Sequence, residues 1–440
     1  MDPYMSGLRL NGSMWQLSIV VSVVSLLPLM VEAFLFNAFK KTDPEVGMDA
    51  FQLIATKGYP VEQHIVITED AYRLAMFRIR HGRNHGQRQQ GAMVSGDGER
   101  VGNKTAPVVF LQHGLLASCT CWLTNLANQS LAFLLADAGF DVWLGNFRGN
   151  TYSRAHAYLG PSDPIFWDFS WDEMARYDLP AMLDKALSVS GSDQLYYIGH
   201  SEGTLVGFTG FSTNSTLGNK VKHFFALAPV AYVGHIEGPI KFLSNHYKGF
   251  KYLLDHVGAH EFLPSNLISK ISAKFFCGLL PQNALCQEFI FMISGWDSNQ
   301  LNSSRIPVYL AHTPAGTSLK NVAHFAQMVL SKQCAKYDYG EAKWNQLMYN
   351  QTTPPQYPLQ AFAVPTTLFY GHKDWLADVT DVLILISKIE PAIYKLFPLQ
   401  EFNHMDFIWG LRAPTDIYHP IIHQIRNFEK GVAHNSTLQG

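Results

Sequence analysis

Basic residues are scattered along this chain with no run beyond a single Lys-Lys pair, and its formal net charge is only −2. Nucleic acid is therefore not an expected partner, because nothing supplies the basic footprint that a phosphate backbone needs. No sustained apolar heptad and no tandem repeat occur, which excludes a coiled coil and a solenoid. Among 5 cysteines and 18 histidines there is no Cys-x-x-Cys pair and no His-Glu-x-x-His sequence. No metal and no cofactor are expected on that ground. No obligate protein partner is evident either. What is present is apolar mass. With 440 residues, 47% of them hydrophobic, the chain can bury a large core and has the length for more than one lobe.

One pentapeptide organises the rest. Gly199-His200-Ser201-Glu202-Gly203 follows the apolar run Leu195-Tyr196-Tyr197-Ile198 and precedes a helix-like stretch, Thr204 to Phe211. A strand that turns tightly into a helix is the setting in which G-x-S-x-G forms a nucleophile elbow. Gly199 and Gly203 free the turn from Cβ clashes, and Ser201 is lifted out at a strand end. Outside that setting the pentapeptide is an ordinary strand–helix turn.

A serine nucleophile needs a base, and the base needs an orienting acid. In this architecture the chain order is Ser, then Asp or Glu, then His, each after a later strand. Val364 to Tyr370 reads as a buried strand followed by Gly371-His372-Lys373-Asp374. Ala392 to Phe397 reads as the next, followed by Asn403-His404-Met405-Asp406-Phe407. Asp374 and His404 are thus the expected acid and base. Asp378 is the rival acid, but it can equally cap a helix beginning at Val379. His372, on the acid loop, His419 and His423, in an amphipathic helix pattern, and His434, in a polar tail, are less well placed. The oxyanion hole should use the N–H after the nucleophile, that of Glu202, and one from an early strand's loop. His113-Gly114-Leu115 follows the strand-like Val108 to Gln112 and offers the N–H of Leu115.

From about Gly58 to Glu429 the chain resembles the acid lipase family, the gastric and lysosomal acid lipases and their insect relatives. The resemblance is carried by Gly58-Tyr59-Pro60, Leu111 to Leu116, Gly145-Asn146-Phe147-Arg148-Gly149-Asn150, Gly199 to Thr204, Pro314 to Ser318, Asp374 to Asp378 and Asn403 to Gly410. It implies an α/β-hydrolase fold, with a mostly parallel sheet, helices on both faces and an inserted helical cap and lid. It places the triad on Ser201, Asp374 and His404 and the oxyanion donors on Leu115 and Glu202. The implied activity is hydrolysis of neutral lipid esters at a lipid–water interface. The family pattern also pairs Cys277 with Cys286 as a disulfide, leaving Cys119, Cys121 and Cys334, of which at least one is a free thiol or bonded to another molecule. Two positions depart from the family. Glu202 stands where Gln is usual, which puts a carboxyl beside a developing oxyanion unless it is neutral or met by a cation such as Arg148. Ala71 stands where a hairpin turn usually has Gly, at a modest backbone cost.

The remaining features are consistent with entry into the secretory pathway. Met14 to Phe36 is almost wholly apolar, Arg9 precedes it, and Val31-Glu32-Ala33 suits cleavage. Residues 1–33 are read as a signal peptide, the alternative being an uncleaved anchor over 14–36, since roughly 20 apolar residues can span a bilayer. Asn103, Asn128, Asn214, Asn302, Asn350 and Asn435 begin Asn-x-Ser/Thr sequons. The destination is extracellular or lysosomal. Residues 64–68 and 72–80 read as an edge hairpin, and 82–104 as a polar loop. Alternating strand and helix patterns cover 34–228 and return in 365–440, which implies a parallel core built from two parts. Residues 229–364 between them are too long for a loop and read as the cap. Two other functions compete with a lipase: a catalytically silent lipid carrier on the same fold, and an esterase of small soluble esters.

Overall fold

In the computed structural model, described for residues 43–83, 106–246, 260–263, 295 and 298–431, the apolar runs form the middle of one sheet. Its order is β1 (Glu62–Ile67), β2 (Tyr72–Ile79), β4 (Asp141–Leu144), β3 (Val108–Gln112), β6 (Leu195–His200), β7 (Val221–Leu227), β10 (Thr366–Gly371) and β11 (Ile393–Leu399). The two-residue β5 (Ala155–His156) pairs with β2 off this path. From β4 to β11 every neighbouring pair is parallel, while β1–β2 and β2–β4 are antiparallel. Strands β3, β6 and β10 are buried along their whole length, as a parallel sheet covered on both faces requires.

The crossovers are helical, among them α1 (Leu131–Asp137), α2 (Leu179–Ser190) and α3 (Glu202–Thr213). The helical pattern over Met174 to Ser188 is not one regular helix. Met174–Asp178 is a π-helical turn, and α2 starts after it with Pro180 in its first turn. Pro180 has no N–H to return to the preceding turn, and its ring crowds the backbone there. At the other end Gly191, at φ 65°, takes the left-handed conformation that closes the helix.

After β7 the chain leaves the sheet and returns at β10. The described part of that excursion holds α4 (Gly238–Asn245), α5 (Ile306–His312), α6 (Leu319–Ser331), α7 (Ala342–Tyr349) and the pair β8 (Glu261–Phe262) with β9 (Thr317–Ser318). On α7, Trp344, Leu347 and Met348 are 47%, 71% and 53% exposed, and their i, i+3, i+4 spacing puts them on one helical face. No helix among the described residues is long and apolar enough to cross a membrane. The N-terminal apolar segment, most of the 82–104 loop, Asn103, Asn435, His434, Cys277 and Cys286 lie outside the described residues. Cys119, Cys121 and Cys334 are free and buried.

A buried cation ties the first strands to the helices. The Arg148 guanidinium donates to Asp70 Oδ2 and Oδ1 at 2.6 and 2.8 Å and to Asp178 Oδ1 at 2.8 Å. It also lies 4.0 Å from the centroid of the Tyr72 ring. Asp70 belongs to the β1–β2 turn, which is closed by the Ala71 N–H on Thr68 O at 2.9 Å. Ala71 itself sits at φ 72°, where a Cβ costs roughly 1–2 kcal/mol.

Ala71→Gly removes that cost but adds freedom to the unfolded chain. A net stabilisation of about 0.5–1 kcal/mol is expected. Urea denaturation should show a higher midpoint at unchanged slope; an unchanged or lower midpoint would mean that the strain at Ala71 does not exceed the entropy that glycine adds to the unfolded chain.

Candidate active site

The site is assembled at the carboxyl ends of β6, β10 and β11. Ser201 follows β6 and precedes α3, with φ 53° and ψ −119°. It is the serine, not either flanking glycine, that takes the positive φ. The glycines act through close approach instead. A Cβ on Gly199 would lie 2.8 Å from the Gly203 carbonyl carbon, and one on Gly203 would lie 2.5 Å from Gln112 O. Their bareness lets α3 start hard against β6 and β3, and this holds the serine in its strained turn.

Asp374 follows β10 and is buried. Its Oδ1 accepts the N–H groups of Leu376 and Ala377, both at 2.8 Å. The carboxylate is thereby fixed before it meets its partner. His404 follows β11 on a loop locked by reciprocal bonds. Asn403 Oδ1 accepts from Met405 N at 3.0 Å, and Asp406 Oδ2 accepts from Asn403 N at 2.7 Å. His404 Nδ1 faces Asp374 at 2.9 Å from Oδ2 and 3.0 Å from Oδ1. Its Nε2 lies 2.8 Å from Ser201 Oγ. A carboxylate only accepts here, so Nδ1 carries the proton and Nε2 is left to accept from the serine hydroxyl.

The structure brings Ser201, Asp374 and His404 together and leaves the competitors elsewhere. Asp378 Oδ1 accepts Thr380 N at 2.8 Å and caps α8 (Val379–Ile389). His372, His419 and His423 are exposed. Glu202 is the first residue of α3, where an N–H has no acceptor within the helix. Leu115 lies in the turn after Gly114, whose added Cβ would stand 2.9 Å from Ser201 Cβ. That turn is braced from three sides. His113 Nδ1 donates to Gly114 O at 2.8 Å, while its Nε2 accepts from Phe147 N at 3.1 Å. Burial pushes the His113 pKa down to about 4, so the ring stays neutral. Asn146 Oδ1 accepts from Cys119 N at 2.9 Å, and Ala315 N donates to Leu116 O at 2.7 Å.

Glu202 is the unusual charge. Its side chain is buried, and Oε1 accepts from Asn321 Nδ2 at 2.6 Å. Asn321 Oδ1 is already taken by Trp171 N at 2.8 Å, which fixes the amide with its nitrogen toward the glutamate. Arg148 is committed to Asp70 and Asp178 and does not neutralise Glu202. Burial raises the Glu202 pKa to about 7, with the Asn321 bond pulling the other way. Sequence reasoning missed Asn321. It sits in an amphipathic helix just past the Pro314 to Ser318 stretch, outside any motif, and only the fold brings it to the elbow.

The sign of the pH effect follows. Below about pH 7 Glu202 is neutral; above it, a buried negative charge appears on the residue next to Ser201. Glu202→Gln should match wild type at acidic pH and keep its rate above pH 7, where wild type falls. The acid limb, which reports protonation of the base, should coincide for both. The check is kcat/KM against pH on one soluble ester, and superimposable alkaline limbs would show that the carboxyl has no influence.

Comparison with known proteins agrees with this geometry. Residues 107–411 match the family described as alpha/beta hydrolase fold, and residues 50–126 match the partial alpha/beta-hydrolase lipase region. The chain is 47% identical to lipase lipl-1 of Caenorhabditis elegans over 411 residues, 92% of this chain and 98% of that one. It is 43% identical to the gastric triacylglycerol lipase of Homo sapiens over 95% of this chain and 100% of that one. Against the lysosomal acid lipase/cholesteryl ester hydrolase of Homo sapiens the identity is 43%, over 88% and 93%. Fold, motifs and relatives thus agree, and the chain belongs to the α/β-hydrolase lipases, alongside the gastric and lysosomal acid lipases.

Proposed function

We propose that this chain hydrolyses neutral lipid esters, such as acylglycerols or cholesteryl esters, through an acyl-enzyme on Ser201. The observation that carries this reading is the unbroken line from Ser201 Oγ through His404 to Asp374. His404 Nε2 takes the hydroxyl proton as Oγ attacks the ester carbonyl. The same proton then goes to the leaving alcohol as the C–O bond breaks. Asp374 holds the imidazole tautomer and balances its transient charge. The N–H groups of Leu115 and Glu202 receive the oxyanion. Water, activated by His404 in the same way, releases the acid and restores the serine. A lipid carrier would have no use for this arrangement.

Residues 229–364 serve as a cap over the core parts 34–228 and 365–440. Ala315 and Asn321, both in that segment, bond to the oxyanion turn and to the elbow residue. The exposed Trp344, Leu347 and Met348 suit a lipid surface better than a small soluble ester. Residues 1–33 direct the chain into the secretory pathway, toward the outside or the lysosome, and Cys277 pairs with Cys286. Sequon positions Asn128, Asn214 and Asn350 are exposed, and Asn302 is half-buried. Asn214 and Asn302 use Oδ1 to accept neighbouring N–H groups, leaving Nδ2, the atom a glycan takes, out of those bonds.

Ser201→Ala should abolish turnover and labelling by an organophosphonate while leaving the fold intact. His404→Ala and Asp374→Asn should each lose roughly 10^3- to 10^5-fold in kcat, without adding to the serine effect. An Asp374→Asn enzyme near wild type, with Asp378→Asn crippled, would reassign the acid.

A second outcome concerns the interface. Emulsified ester should turn over faster than the same ester as monomer, and Trp344→Ser with Leu347→Ser should remove most of that gain. Equal rates on both forms would favour the small-ester reading.

A further inference from the structure

The elbow holds a second histidine whose ring the reaction does not use. His200 is the last residue of β6, directly before Ser201, and is 3% exposed. Its Nε2 lies 3.0 Å from the backbone carbonyl oxygen of His404. A carbonyl only accepts, so this nitrogen carries the proton and donates. The other ring nitrogen, Nδ1, is buried and has no hydrogen-bond partner among the described residues. It faces the oxyanion turn, where a Cβ on Gly114 would stand 3.2 Å away. The ring centroids of His200 and His404 are 5.0 Å apart.

We infer that His200 is a positioning residue, whose Nε2–H holds the backbone of His404 so that the base stays aligned with Ser201. The proposal rests on the hydrolase reading above. Its physical content is a short circuit between two loops. Ser201 is fixed to β6, whose backbone is paired through His200 with Leu227 of β7. His404 lies on the loop after β11, two strands beyond β7. The imidazole–carbonyl bond ties nucleophile strand to base loop directly, without passing through the sheet. An uncharged ring suits the task, since a cation 5 Å from His404 would oppose the imidazolium that forms in the transition state. Burial above all, with the neighbouring His404 and His113 adding to it and the His404 carbonyl opposing it, brings the His200 pKa down to about 3. A purely packing role would ask only for a ring of this volume.

Two amides separate these roles. Gln at 200 can place an amide N–H where Nε2 stands, while Asn reaches only the Nδ1 position. His200→Asn should lower kcat, and the rate of organophosphonate labelling of Ser201, about 10- to 100-fold with KM within about 2-fold, as a misaligned base predicts; His200→Gln should stay within about 3-fold of wild type. Melting temperatures are measured alongside. Undiminished kcat in His200→Asn, or equal losses in both variants that track their melting temperatures, would overturn the assignment. Should neither variant fold, the wild type decides. Nitrogen NMR of histidine-labelled protein must show His200 as the neutral Nε2–H tautomer, coupled through its proton to the His404 carbonyl carbon. An Nδ1–H tautomer sinks the idea. If wild type itself neither hydrolyses an ester nor takes the phosphonate, the hydrolase reading fails, and this proposal with it. Failure of the His200 tests alone leaves that reading standing.

Discussion

The backbone of Ser201 is the constraint on which the rest of the structure depends. A non-glycine residue at φ 53°, ψ −119° costs about 1–3 kcal/mol and persists only where its surroundings leave no choice. Here β6 is clamped between β3 and β7 in the middle of the sheet. The Ser201 N–H is taken by Leu227 O at 3.1 Å, and its carbonyl receives Thr204 N at 2.8 Å. The turn is therefore held at both ends. His404 and Asp374 follow β11 and β10 on the far side of β7, so the register of the parallel strands sets the distance between the three side chains.

Much of this was legible in the sequence because strand burial and chain order leave strong signals. Apolar runs such as Val108-Val109-Phe110-Leu111 need no context to be read as buried strands. Ser201, Asp374 and His404 follow such runs in the order this architecture demands. What stayed hidden involves contacts that no local pattern encodes. Asn321 lies in α6 and reaches Glu202 only through the fold. The His200–His404 bond ends on a backbone carbonyl, which every residue has. The two residues of β5 are too few to show a period. Even the glycines were legible only in part. Their presence marks the elbow, but they serve close packing while the serine carries the strained angle.

Charge around the site is handled by enclosure. Arg148 spends its donors on Asp70 and Asp178, and His113 and His200 are kept neutral by burial. Asp374 meets two backbone N–H groups besides the imidazole. Glu202 is enclosed with the Asn321 amide as its partner. An acid at this position, where the family resemblance leads one to expect glutamine, adds a proton that can leave.

The three buried cysteines have a consequence for how the chain must mature. Burial raises the Cys119 thiol to about 12 and the Cys334 thiol further, and holds Cys121 well above its ordinary value. Thiolate, not thiol, attacks a disulfide, so in the native state these side chains are poor partners for thiol–disulfide exchange. That protection belongs to the folded chain alone. Before β3 and its following turn are in place, Cys119 and Cys121 are ordinary reactive thiols competing for partners. Folding of the turn after β3 therefore does two things at once: it sets the backbone packed against Ser201 and withdraws two thiols from reaction.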